Sequence, residues 1–273
     1  MEPNSIEKEL REEWFKDHEA KLENLSEDIS VLTWKAPGTY SYWVRYVFDF
    51  NKIYITGDLG DAVLKIYDKI DLEKAADLDI GYFHKKITAM DEEKWSFDSK
   101  KAIARLKEEI EEVNANKAEY LGLDEDGTGI IDELSDEQQS RVDQYDEYIE
   151  MFNSMIAEAE ECSFRSHWVQ SIYQNYLDDL SSYDNDFYEW VFDIGNEYPR
   201  EIQAFLIGLK MASEQLKERE KIAEMKNYSK ACDQMENCEV CIKTMKDADT
   251  PCTCMRKKYG ESIWDYKESE VEQ

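Results

Sequence analysis

The chain has 273 residues, with 33 Lys+Arg against 63 Asp+Glu, a formal net charge of −30 and 42% hydrophobic residues. Its apolar and aromatic content is enough to bury a core, which excludes a disordered acidic tail. The charge repels phosphate backbones and anionic lipid, which argues against direct nucleic-acid binding and membrane attachment and favours basic protein partners.

The N-terminal MEPNSIEKEL has no apolar core before a small-residue cleavage site, so no secretory signal is read. The longest apolar runs, such as Ala204 to Leu209, fall far short of the roughly 20 residues that span a bilayer. A cytoplasmic protein is expected. Residues 5–28 read as a mostly polar helix with Ile6, Leu10, Trp14 and Leu22 or Leu25 as its apolar stripe. From Ile29 the texture turns β-branched and aromatic in VLTW, SYWVRYVFDF and KIYITGD, with Pro37-Gly38 and Asp49 to Lys52 as turn signals. Between Tyr42 and Phe48, Tyr42, Val44, Tyr46 and Phe48 share one face and Trp43, Arg45 and Val47 the other. Both faces are largely apolar, so a central strand of an antiparallel meander is expected. A tight turn at Gly57 to Gly60 leads into Ala62 to Tyr67, a short acidic helix follows near Leu72 to Asp77, and IGYFHKKI closes the region.

Ser99 to Leu121 carries Ile103, Leu106, Ile110 and Val113 at steps of three or four, the mark of a long amphipathic helix. After a loop, Ser135 with Gln138 forms a capping box that opens a second helix to about Glu161. Residues 91–160 hold 22 acidic and 7 basic positions, a net of −15, so this helical hairpin is read as a projecting arm. Residues 163–198 read as two short helices broken near Ser181-Ser182 and Gly195. Pro199 then opens a long helix from Arg200 to about Ala231, buried along Ile202, Phe205, Leu206, Leu209 and Met211 or Leu216. The fold class expected is α+β: an N-terminal antiparallel sheet unit with its helix over residues 1–95, a helical hairpin arm over 96–162, a helical region over 163–231 and a small Cys-rich terminal subdomain over 232–273.

The most specific chemical signal is C-x5-C-x2-C-x10-C-x-C at Cys232, Cys238, Cys241, Cys252 and Cys254. In a reducing compartment this clustering points to a structural zinc on Cys238, Cys241, Cys252 and Cys254, with Cys232 as a substitute ligand. Reduced thiols and an intermolecular disulfide are the alternatives. The loop Asp124 to Asp132 imitates an EF-hand calcium loop, but its twelfth position is Ser135 where a bidentate Glu is required, and that serine reads better as a helix cap. Asp49, Asp58 and Asp61 lie near strand ends, where metal-binding carboxylates often sit, although among 63 acidic residues such spacings arise by chance. His18, His84 and His167 fall in unrelated contexts, and no nucleotide or acyl-transfer motif is present, so no catalysis is expected. An acidic aromatic segment remains: Asp178, Asp179, Asp184, Asp186, Tyr188, Glu189 and Trp190 are the candidate partner-binding residues, because spaced carboxylates mimic a phosphate track and exposed aromatics supply anchors.

The run WKAPGTYSYWVRYVFDFNKIYITGDLGDA, Trp34 to Ala62, followed by Tyr82-Phe83 before His84-Lys85-Lys86, resembles a block found in phage-encoded proteins that include inhibitors of the bacterial Gabija defence system. The resemblance covers about 55 residues and carries no catalytic motif. It implies a non-enzymatic, oligomeric viral protein that acts in the host cytoplasm, wraps the Gabija nuclease-helicase assembly and prevents DNA binding and cleavage. A metal-dependent hydrolase or nuclease using the strand-end carboxylates, and a virion assembly protein, are the competing readings.

Overall fold

A computed structural model describes the backbone of residues 4–123 and 134–234, with side-chain environments for 5–123 and 134–224. The chain forms two compact units, residues 1–209 and 210–273. The first unit is α+β. Its sheet is a six-stranded antiparallel meander of β1 (Glu19–Asn24), β2 (Ile29–Lys35), β3 (Val44–Asp49), β4 (Lys52–Gly57), β5 (Ala62–Lys65) and β6 (Ile87–Met90), in that spatial order. Two short helices, α2 (Leu72–Ala76) and α3 (Ile80–Lys86), bridge β5 and β6. Each is opened by an aspartate whose carboxylate accepts a backbone amide: Asp71 from Lys74 and Asp79 from Tyr82.

The alternation in the sequence fixes which way the sheet faces. Leu32, Trp34, Val44, Tyr46, Phe48, Ile53, Ile55, Ala62 and Leu64 are buried together on one face. Against that face lie the N-terminal segment and the start of the last helix. Phe15 meets Trp34 edge-on at 6.0 Å, and Tyr46 Oη donates to the Phe205 carbonyl at 2.9 Å. Gly208 faces the same tyrosine so closely that a Cβ there would stand 2.6 Å from Tyr46 Oη. Among the described residues, the other face of the sheet is half-buried or exposed. The β3 strand is interior, as expected, but only one of its faces is covered: Arg45 is exposed and Val47 half-buried.

Three boundaries differ from the sequence reading. The N-terminal helix does not extend to residue 28. It comprises α1 (Asn4–Glu9) and a π-helical turn, Leu10–Trp14, after which Glu19–Asn24 is a strand. The composition EAKLEN suits a helix, but the residues pair with β2 from Glu19↔Lys35 to Asn24↔Ser30, so the neighbouring strand overrides propensity. The meander strand begins at Val44 rather than Tyr42, because Tyr42 sits at φ 56°, stacked on Trp14 at 4.5 Å. The break expected near Ser181-Ser182 falls just after them. Both hydroxyls donate to the Asp178 carbonyl, at 2.7 and 3.1 Å, so the helix absorbs them and ends at Tyr183.

The helical hairpin forms from α4 (Ser99–Tyr120) and α5 (Asp136–Glu161), preceded by β7 (Ser96–Phe97). Ser135 caps α5 as its sequence predicts: its hydroxyl accepts from the Gln138 amide at 3.3 Å, and the Gln138 side chain accepts from the Ser135 amide at 3.0 Å. Next come α6 (Arg165–Ser171), a π-helical turn at Ile172–Tyr176, α7 (Leu177–Tyr183), a 3-10 turn at Phe187–Glu189, β8 (Asn196–Glu197), which pairs with β7, and α8 (Arg200–Gln234). Ala204 through Leu209 are all buried, so this part of α8 is covered on every side rather than along one stripe.

His84 lies between Trp95 and Tyr198, at 4.1 and 5.1 Å, with Nε2 donating to the Lys94 carbonyl at 2.7 Å. Burial lowers its pKa below the usual histidine value, outweighing that hydrogen bond. Above about pH 6.5 the ring is neutral in both the folded and unfolded chain and its packing stabilises fully. Below that the unfolded chain takes up the proton first, so stability falls as the pH drops. Urea unfolding between pH 7 and 5 is expected to show a shallower loss in His84→Gln than in wild type; equal slopes would remove His84 as a cause.

Candidate protein-binding surface

A second core forms where the inner faces of α4 and α5 meet α6, α7 and the 3-10 turn. Leu106, Phe152, Met155, Trp168, Ile172, Leu180, Phe187 and Val191 are fully buried there. Trp168 Nε1 donates to the Val191 carbonyl at 2.8 Å, fixing the segment after α7 against α6. This core carries the acidic aromatic segment on its surface.

At its margin a charge is buried. Glu109, on α4, is only 4% exposed. Its carboxylate pairs with Arg105 one turn earlier and accepts the Tyr183 hydroxyl at 2.8 Å. Burial, reinforced by that carboxylate, holds the Tyr183 phenol well above its usual pKa. The Arg105 guanidinium lies over the Trp190 ring, 5.4 Å from its centroid, and Trp190 Nε1 donates to Asp184 Oδ2 at 3.0 Å. Asp184 also accepts the Asp186 amide at 2.8 Å. Arg105, Trp190 and Asp184 thus clamp the later part of the segment onto the hairpin.

Of the seven residues singled out in the sequence, Asp184 and Trp190 are half-buried and bound within the chain. Asp178 and Asp179 are exposed on α7, and Asp186, Tyr188 and Glu189 are exposed at the 3-10 turn. The structure adds two residues that sequence reasoning missed. Tyr173 stacks on Phe192 at 5.0 Å, and Tyr188 stacks on the same ring at 6.3 Å. Tyr173 and Tyr188 are 57% and 56% exposed, so the three rings make a continuous aromatic ledge, with Asp186 and Glu189 flanking Tyr188 in the chain. Tyr173 lies in the π-helical turn, a conformation often associated with functional positions.

The hairpin's charge is unevenly divided. Helix α4 has five acidic and five basic residues, whereas α5 has nine acidic residues and only Arg141. Asp136, Asp143, Glu147 and Glu150 recur at seven, four and three residues on an exposed face of α5, a stripe about 21 Å long at 1.5 Å per residue. The packing of α7 on α5 places the aromatic segment and this helix in the same part of the molecule.

No family model, curated protein or solved structure matches this chain.

The other sequence candidates are placed as follows. Asp58 Oδ2 accepts the Tyr42 amide at 2.7 Å, Asp49 lies on the open sheet face opposite Lys52, and the Asp61 carbonyl accepts the Asp91 amide. Among the described residues, no group of three His, Cys, Asp or Glu side chains is placed to hold a metal ion. Cys238, Cys241, Cys252 and Cys254, with the zinc expected on them, lie outside the described residues, as does the Asp124 to Asp132 loop. A groove of about 380 Å³ lies along Ile66 to Ile70, Lys74, Leu78 and Tyr82. Its lysines are engaged locally: Lys69 with Asp28 and the Glu27 carbonyl, and Lys74 with the Lys69 carbonyl. Among the described residues, no helix is long and apolar enough to cross a membrane.

Proposed function

We propose that this protein is a viral inhibitor of a bacterial anti-phage defence complex, with the Gabija nuclease-helicase assembly as its target. It acts in the host cytoplasm without catalysis, covering the basic surface on which the complex handles DNA and blocking binding and cleavage by steric occlusion. The observation that carries this reading is the exposed Tyr173–Phe192–Tyr188 ledge beside the carboxylates of Asp186, Glu189 and α5. Rigid aromatics flanked by acids give a basic partner both an apolar anchor and a complementary field. The resemblance of Trp34 to Ala62 to the phage inhibitors supplies the class of partner.

The test is binding to purified Gabija assembly. Because both rings are exposed, Tyr173→Ala with Tyr188→Ala is expected to leave the fold intact and weaken binding about 30-fold, a loss of about 2 kcal/mol. The variant is also expected to lose protection of phage in cells carrying the system. Unchanged affinity, or inhibition at substoichiometric protein, would overturn the proposal.

A further inference from the structure

The open face of the sheet has the opposite character to the rest of the chain. Val31, Val47, Tyr54, Val63 and Ala89 pair in a continuous cross-strand row from β2 to β6. Tyr54 and Ala89 are exposed and the three valines half-buried, so among the described residues this row is partly exposed apolar surface. On one side of the row lie Lys21, Arg45 and Lys35, and on the other Lys52 and Lys65. Five cations therefore share the face with three carboxylates, Glu19, Glu23 and Asp49. The whole chain, by contrast, has nearly two acidic residues for each basic one. Among the described residues, no carboxylate lies within ion-pairing distance of Lys35, Arg45, Lys52 or Lys65. Three of these cations lie over aromatic rings instead: Lys35 Nζ is 3.3 Å from the Tyr40 centroid, Arg45 5.7 Å from that of Trp43 and Lys52 5.9 Å from that of Tyr54.

We infer that this face docks a second copy of the chain, receiving that copy's Tyr173–Phe192–Tyr188 ledge on its apolar row and Asp186 and Glu189 among its cations. The pairing follows from chemistry present on both surfaces. The row spans four strand spacings, about 19 Å, which is wide enough for three stacked rings. Two sheet faces meeting each other would bring together more cations than Glu19, Glu23 and Asp49 can balance, which disfavours that arrangement. The contact is therefore head-to-tail, joining two different patches. Repulsion between two chains of charge −30 is screened beyond about 8 Å at physiological salt, which leaves the charges at the contact to decide the geometry. The ledge that a basic partner would occupy is then the one that self-assembly covers, so the two events compete.

Sedimentation velocity over a concentration series at physiological salt tests this. Wild type is expected to associate beyond the monomer. Arg45→Glu with Lys52→Glu, which keeps the ledge, and Tyr173→Ala with Tyr188→Ala, which keeps the sheet face, are each expected to associate at least about tenfold more weakly. Mixed in equal amounts, these two variants are expected to form a 1:1 dimer that grows no further, since only one intact surface of each kind remains. Lys35→Glu with Lys65→Glu repeats the first arm should Arg45→Glu with Lys52→Glu lose the wild-type circular dichroism. A monomeric wild type, sheet variants that associate as wild type does, or a mixture without the dimer would each overturn the inference. Binding of poly-glutamate by a monomeric wild type would assign the face to a different acidic partner. Retention of Gabija binding by the sheet variants separates this contact from the proposed function.

Discussion

Replacing Arg105 with alanine is expected to destabilise the protein by about 2–3 kcal/mol, a large loss for a residue that is itself partly exposed. The cost arises at Glu109. That carboxylate has almost no access to water, and Arg105 is the cation that balances it, with the Tyr183 hydroxyl as its other partner. Removing one member of a buried ion pair strands the other charge, whereas a neutral replacement of both is tolerated far better. Adding Glu109→Gln to the Arg105→Ala background is therefore expected to recover most of the loss, because an amide can still accept from Tyr183. Urea midpoints of the wild type and the two variants measure both effects. A loss below about 0.5 kcal/mol would mean that Glu109 is solvated after all. The same arginine lies over Trp190, so its removal also frees the segment that carries Tyr188. Partner binding is expected to weaken even where the fold survives.

Gly57→Ala is expected to cost at least about 3 kcal/mol. A Cβ at this position would stand 2.2 Å from the Trp43 carbonyl oxygen and 3.0 Å from the Val44 Cα. Both neighbours are backbone, and the carbonyl is held by the Asp58 amide at 2.9 Å, so neither can swing aside as a side chain would. Relief requires opening the β3–β4 pairing at Val44↔Gly57. A melting temperature lowered by about 10 °C is the expected outcome. A change of less than about 2 °C would show that the strand end moves freely.

The meander was legible because β2 to β5 bury one face each, which leaves a period of two in the sequence. The start of α5 was legible to the residue because a capping box is local chemistry. Strand β1 was hidden, since Glu, Ala, Lys and Leu are good helix formers and only the ladder with β2 makes them extended. Glu109 was hidden for a different reason: charge counting treats every carboxylate as solvated. The hairpin's net charge was visible, but its division between a balanced α4 and an acidic α5 emerges only once the helix limits are known. At the candidate surface Tyr188 was recoverable from composition. Tyr173 was not, because it meets Phe192 across the chain from another helical turn, and Phe192, although close to Tyr188 in the chain, gains its place only through that stack.

The acidic residues of α5 also differ in what they do at its two ends. Asp136 and Glu137 sit in the first turn, where the exposed amides of a helix carry partial positive charge and welcome them. Glu158, Glu160 and Glu161 crowd the last turn, where the free carbonyls are already negative and no basic residue relieves them. Glu158 acts on its surroundings accordingly, adding to the burial that raises both the Cys162 thiol and the Tyr176 phenol. The carboxyl end of α5 is thus held in place by the packing of Met155 and Ala159 against an opposing helix dipole. A lysine or arginine from a basic partner arriving there would remove the opposition, so association and the firmness of this helix end rise together.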